Sequence, residues 1–197
     1  HKAPAMNPTR RTLLNAGAAA GAAAMLGPAV AAAPDFDPIP PLPVKPTPGK
    51  PGDFNFLGGE WRIQNRRLKS PGVWDEFPGE ATCHTILGGV GSVEELRIPA
   101  RNFSGMGLRM LDVKAKVWSD FWVNGASGVL STPGQTGSFE NGAGIFISDY
   151  DEQGKAMKAV GVWDQITPKS CRWRQASSAD GGKTWEQNWI MLWTRVA

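Results

Sequence analysis

From Asp53 onward the chain is a series of short alternating or β-rich runs, interrupted by clusters of Gly, Pro, Asn and Asp. This pattern limits the fold more than any other feature. Alternation with a period of two puts successive side chains on opposite faces of a strand. The interrupting residues are those that turns require. The runs predict strands at 60–68, 77–87, 92–98, 107–111, 117–123, 128–131, 144–150, 159–165, 171–177 and 184–195. Turns are expected at Ser70-Pro71-Gly72, Asn124-Gly125, Thr132-Pro133-Gly134, Asn141-Gly142 and Asp180-Gly181-Gly182. No segment keeps the 3.6-residue rhythm for the length a stable helix needs. The expectation is an all-β body of about ten antiparallel strands, an up-and-down barrel or a sandwich.

Composition narrows the function classes. The 197 residues suit one domain of ordinary size, and 24 Gly with 16 Pro argue against a helical bundle. No run of large apolar side chains reaches the roughly 18 residues of a spanning helix, so no membrane insertion of the mature form is expected. The formal charge of +3 is unevenly placed. Lys2, Arg10 and Arg11 are the only charged side chains before Asp35, and beyond them 18 basic residues face 18 acidic ones. A neutral body lacks the basic footprint of a nucleic-acid binder.

The first third reads as address and tether. Thr9-Arg10-Arg11-Thr12-Leu13-Leu14 sets two arginines before an Ala/Gly-rich, mildly apolar stretch that ends in Ala31-Ala32-Ala33. Residues 1–33 resemble a twin-arginine signal peptide, which implies a periplasmic or secreted protein that folds before export. Residues 34–52 carry eight prolines and predict an extended, coreless linker. It is either a plain spacer or a strap over the barrel mouth anchored by Phe36, Ile39 and Leu42. The barrel domain is then 53–197.

The ends of that domain favour closure. Phe54-Asn55-Phe56-Leu57-Gly58-Gly59-Glu60-Trp61 leads into the first strand, and the last strand ends in Trp193-Thr194-Arg195. The pairing resembles the lipocalin and fatty-acid-binding superfamily, where an Arg from the last strand packs across a Trp from the first. A cation over an indole holds the two strands together. Leu87-Gly88-Gly89-Val90-Gly91, Trp118-Ser119-Asp120-Phe121-Trp122 and Asp180-Gly181-Gly182-Lys183-Thr184-Trp185-Glu186 extend the likeness to uncharacterised bacterial lipocalin-like (calycin-type) proteins. That resemblance implies a barrel with a cavity but carries no established activity. Nitrobindin-type barrels share the outline and hold haem through a late histidine. No histidine follows His84 here, so no cofactor is expected. Ser178 to Trp185 also fits the Asp-box of sialidases, which is read as a structural hairpin.

All nine tryptophans lie from Trp61 onward. Trp118, Asp120, Trp122 and Asn124 share one strand face. Trp185, Gln187, Trp189, Met191, Trp193 and Arg195 share another. Trp163 stands with Gly161 and Gln165, and Trp173 with Cys171 and Gln175. Each indole alone could fill a wide barrel. Together with Asp, Asn and Gln on the same faces they point to an aromatic-walled small-molecule cavity. Its expected ligand-binding residues are Trp118, Trp122, Trp163, Trp173, Arg97, Tyr150 and Asn188.

Six residues are candidates for chemistry: Arg109, Asp120, Glu95, Arg97, His84 and Tyr150. Arg109, flanked by Leu108 and Met110, must find a buried partner, for which Glu95 and Asp120 are the candidates. Glu95 and Arg97 share a face. They form a cross-cavity pair if inward and a surface pair of little worth if outward. His84, beside Glu80 and Thr82, is either a general base or a solvent-facing side chain. Tyr150 is a phenolic acid or a rim aromatic. Beyond the signal segment one histidine and two distant cysteines give no metal-ligand spacing, so no metal is expected. Cys83 and Cys171 are either a disulfide or two buried thiols.

Two functions follow. One is an exported barrel that binds a small aromatic or apolar ligand. The other is a cofactor-free lyase or isomerase on a phenolic compound, with Arg109 or Arg97 holding an anion and Asp120, Glu95 or His84 moving the proton. The expected partner is a small molecule and not nucleic acid, and homodimer formation is left open.

Overall fold

The computed structural model describes residues 37–43 and 47–196. Ten antiparallel strands close into one barrel. They are β1 (Gly59–Ser70), β2 (Val73–Ile86), β3 (Gly91–Ile98), β4 (Phe103–Asp112), β5 (Val117–Asn124), β6 (Gln135–Glu140), β7 (Ala143–Glu152), β8 (Lys155–Asp164), β9 (Ser170–Ser178) and β10 (Glu186–Arg195). Each pairs with its sequence neighbours, and β1 pairs with β10 to complete the ring. Closure leaves no open edge.

The strand expected at 128–131 is a correction. Only an isolated bridge, Val123 to Leu130, forms there. The missing strand is β6, joined to β7 across Asn141-Gly142. Asn141 and Gly142 both have positive φ, as a tight hairpin requires. The sequence of β6, Gln-Thr-Gly-Ser-Phe-Glu, has no apolar alternation, so it is pairing with β7 that makes it a strand.

One end of the barrel is plugged by the lead-in. Phe54 and Leu57 are buried, and Phe54 meets Trp118 edge-on at 5.0 Å and Phe139 at 4.9 Å. The Trp61 indole donates to the Leu57 carbonyl at 2.7 Å. Arg195 lies 4.2 Å over the Trp61 ring and donates to the carbonyls of Phe56, Gly58 and Pro168. The expected cation–indole contact between first and last strands is therefore present. Trp163 and Trp193, 5.4 Å apart, complete a packed aromatic core at this end. A buried indole withdraws roughly 150–250 Å² from water, worth about 4–6 kcal/mol before ordering entropy is subtracted.

Residues 37–43 of the proline-rich segment lie as a strap on the outer wall and not over the mouth. Ile39 and Leu42 pack with Trp185 on Val160, Val162 and Ala176, which face outward from β8 and β9. Arg174 donates to the Asp37 carbonyl at 2.7 Å and to Asp164 at 2.6 Å, and Arg172 bridges Asp37 and Asp164. Arg172 holds the Asp37 carboxyl below its usual range. Phe36 and the expected signal peptide lie outside the described residues.

The Ser178–Trp185 stretch is a hairpin connection built on one carboxylate. Asp180 accepts from the Ser178 and Thr184 hydroxyls and from the Lys183 and Thr184 amides. The Thr184 hydroxyl, followed by the other donors, pulls the Asp180 pKa well below 3.8. A depressed folded-state pKa contributes stability that is present above the unfolded value and is lost as acid protonates the group. Asp180→Asn is therefore expected to melt at a lower temperature than the parent at neutral pH. The gap should narrow as the pH falls below about 4, as followed by circular dichroism.

Candidate functional site

Which face of each strand turns inward decides the site. On β3 the inward set is Ser92, Glu94, Leu96 and Ile98, all buried. Glu95 and Arg97 are on the other face. Arg97 donates to Glu80 at 3.0 Å and to Glu95 at 2.8 Å on the outer wall. His84 is also exposed on the outside of β2. Three of the expected site residues are thus outside the barrel, because Leu96 and Ile98 make the Glu94 face the more apolar one.

Arg109 is fully buried, and its main partner is Glu94, a residue the sequence reading did not select. Glu94 pairs across the ladder with Gly107, and Arg109 with Asp120. A Cβ on Gly107 would fall 2.8 Å from the Arg109 guanidinium, so its absence lets the guanidinium pass over to Glu94. Arg109 donates to Glu94 Oε2, and its Nε stands 3.4 Å from Asp120 Oδ1. Its Cζ also lies 5.5 Å from the Trp163 ring and 5.6 Å from Phe54. Burial opposes the charge, but Glu94 and Asp120 outweigh it and keep the arginine protonated.

Above this triad, toward the end opposite the plug, a cleft of about 90 Å³ opens. Asp120 and Trp122 from β5 line it, with Gln135 from β6, Ser148 and Tyr150 from β7, and Trp173 and Gln175 from β9. The Trp122 ring fits because Gly105, beside it on β4, has no Cβ; one there would lie 2.1 Å from the indole. Phe103 stacks on Trp122 at 6.3 Å. Gln135 donates to Ser148 at 3.3 Å, and Gln175 donates to Asn188 at 2.9 Å. Asn188 is buried behind Gln175 and also donates to Ser177 at 3.4 Å.

The expected ligand-binding set therefore divides. Trp122, Trp173 and Tyr150 line the cleft, and Asn188 supports it. Trp118 and Trp163 belong to the packed core, with the Trp118 indole donating to Asp53 at 3.0 Å. The face written as Trp185 to Arg195 is broken by a bulge between Gln187 and Trp189. Gln187 turns outward, donating to the Asp37 carbonyl of the strap, while Trp189, Met191 and Trp193 turn inward. A bulge of this kind inverts the alternation downstream of it. The residues that sequence reasoning missed are Glu94, Gln135, Ser148 and Gln175. The alternation of Leu96 and Ile98 with Glu94 was the available signal for the first.

Cys83 and Cys171 are separate buried thiols. Burial first, and then the nearby Glu94 charge, push the Cys83 thiol up and the Cys171 thiol up to about 12. Neither is a ready nucleophile. Among the described residues no group of three or more His, Cys, Asp or Glu side chains is placed to hold a metal ion.

No protein-family model matches the chain, and no curated protein matches it. Among solved structures it is similar to a crystal structure of a protein with unknown function from the DUF3598 family of Nostoc punctiforme. The two share 15% identity with a TM-score of 0.42, over 79% of this chain and 53% of that one. The chain thus spans about half of that neighbour's length.

Proposed function

We propose that the protein is an exported, lipocalin-like barrel that binds a small, ring-sized molecule in the cleft above Asp120. One observation carries this reading. Five hydrogen-bonding side chains (Asp120, Gln135, Ser148, Tyr150 and Gln175) converge with Trp122 and Trp173 on a cleft in the barrel interior that opens outward. A few placed polar groups among aromatic walls are what a small-molecule site needs. The cleft is too small for a long acyl chain, and aromatic packing fills the plugged end. Export rests on the paired arginines and the Ala-rich stretch, and lipocalin-like membership on the lead-in and the Trp61–Arg195 closure.

A second reading has its own support. Asp120 and Tyr150 line the same cleft, so a carboxylate and a phenol are available to move a proton in a lyase or isomerase reaction. Both readings are tested by titrating small aromatic compounds against the intrinsic tryptophan fluorescence, with product assayed in the same tubes. Saturable quenching without product is the expected result. Product that disappears in Asp120→Asn would make the protein an enzyme. A panel that leaves the fluorescence unchanged would overturn both.

A further inference from the structure

We infer that the cleft selects a cationic amine carried on a small aromatic body. This rests on the small-molecule reading above and names the ligand class for the same cleft.

The argument starts from charge. The carboxylate at the cleft wall is Asp120, whose side chain is only 10% exposed. Its near cation, Arg109, is wholly buried behind it and is also bound by Glu94. Two carboxylates share one guanidinium, so the group keeps one negative charge in excess when both are ionised. Among the described residues no lysine or arginine lines the cleft, and apart from Asp120 and Asp149 its polar groups are neutral. At the lip Asp149 is paired with Lys158 at 2.5 Å, and the neighbouring Asp151 adds a further negative charge. An anionic ligand would meet the Asp120 carboxylate at the wall, while the lip cation, Lys158, is already engaged by Asp149. An ammonium ion would add a second positive charge to a group that holds two carboxylates and one guanidinium, in a site largely shielded from water, where a charge pair is strong.

The walls give an independent reason. Trp122 and Trp173 enter from strands on different sides of the cleft, and Tyr150 and Phe121 add two more rings. Aromatic faces are negative at their centres and attract ammonium groups. A carboxylate with indole walls therefore favours a protonated amine over its neutral isostere. The acceptors on Gln135, Ser148 and Gln175 can take the remaining N–H donors of a primary amine. The volume of about 90 Å³ limits the body to about one ring.

The test uses three probes of matched shape on the full chain at neutral pH: 2-phenylethylamine, 2-phenylethanol and 3-phenylpropionate, each measured by calorimetry. The expected order is amine at least tenfold tighter than alcohol, with the propionate weakest. In Asp120→Asn the amine's advantage over the alcohol should fall to threefold or less while the alcohol's affinity holds. Asp120 touches Arg109, so this variant could fail to fold; the ratio of amine to alcohol in the parent protein then decides alone. Alcohol or propionate binding as tightly as the amine would overturn the inference and leave the small-molecule reading standing. Failure of all three probes, and of the wider fluorescence panel, would overturn both.

Discussion

Arg109→Met is expected to lower the unfolding free energy by about 3–5 kcal/mol, whereas the double variant Arg109→Met, Glu94→Leu costs far less than the sum of the two single changes. The reason is the asymmetry of buried charge. Arg109 and Glu94 have side-chain exposures of 0% and 1%. Glu94 Oε1 has no hydrogen-bond partner among the described residues, so the guanidinium is its principal compensation. Taking the arginine away leaves a carboxylate in a wall of tryptophan and phenylalanine. Taking both away removes the deepest charges and leaves Asp120, whose side chain keeps 10% exposure at the cleft wall, beside an apolar layer of similar volume that interiors accept more readily. Urea denaturation of the four proteins measures this, with the midpoint shifting at constant slope. If Arg109→Met stayed within 1 kcal/mol of the parent, the triad would not be the polar keystone of the interior.

That triad also shows how far the sequence could be read. Arg109 and Asp120 were legible because a charge between Leu108 and Met110 has to be paired, and because Asp120 alternates with Trp118 and Trp122. Glu94 was legible only through its alternation with Leu96 and Ile98, since Glu95 stands beside it and only the face of β3 separates them. The same limit applies to β10. Period two put Gln187 and Trp189 on one face, but the bulge between them is set by pairing with β9. The strand count was legible from turn chemistry, and Asn141-Gly142 marked the β6–β7 hairpin even though β6 itself carries no strand pattern. Gln135, Ser148 and Gln175 look like ordinary polar strand residues. It is barrel closure, which sets strands far apart in sequence around one space, that turns them toward a common cleft. The proline-rich stretch reads as a plain spacer or a strap over the mouth, and neither places Ile39 and Leu42 on the outer wall, because nothing local says which wall they will meet.

Gly137→Ala is expected to cost about 3 kcal/mol or more, or to prevent folding, although it adds a single methyl group. Gly137 lies in β6 between Trp118 of β5 and Phe146 of β7 in the ladder. A Cβ there would fall 1.9 Å from the Ile145 carbonyl oxygen and 2.8 Å from the Phe146 Cα. Both are backbone atoms of the paired strand, so no rotamer change relieves the clash. The β6–β7 pair would have to separate, and β6 is the shortest strand in the barrel, so closure would suffer there first. Gly161→Ala in β8 is the control. Its added Cβ would stand 3.3 Å from Gln135 Oε1 and 3.4 Å from Trp173 Nε1, both side-chain atoms that can shift by a few tenths of an ångström. It should cost about 1 kcal/mol or less while narrowing the cleft, since both neighbours line it. Thermal melts separate the two variants, and ligand titration of Gly161→Ala reports on the cleft. Equal stability in both would mean that β6 is not held at the close approach to β7 described above.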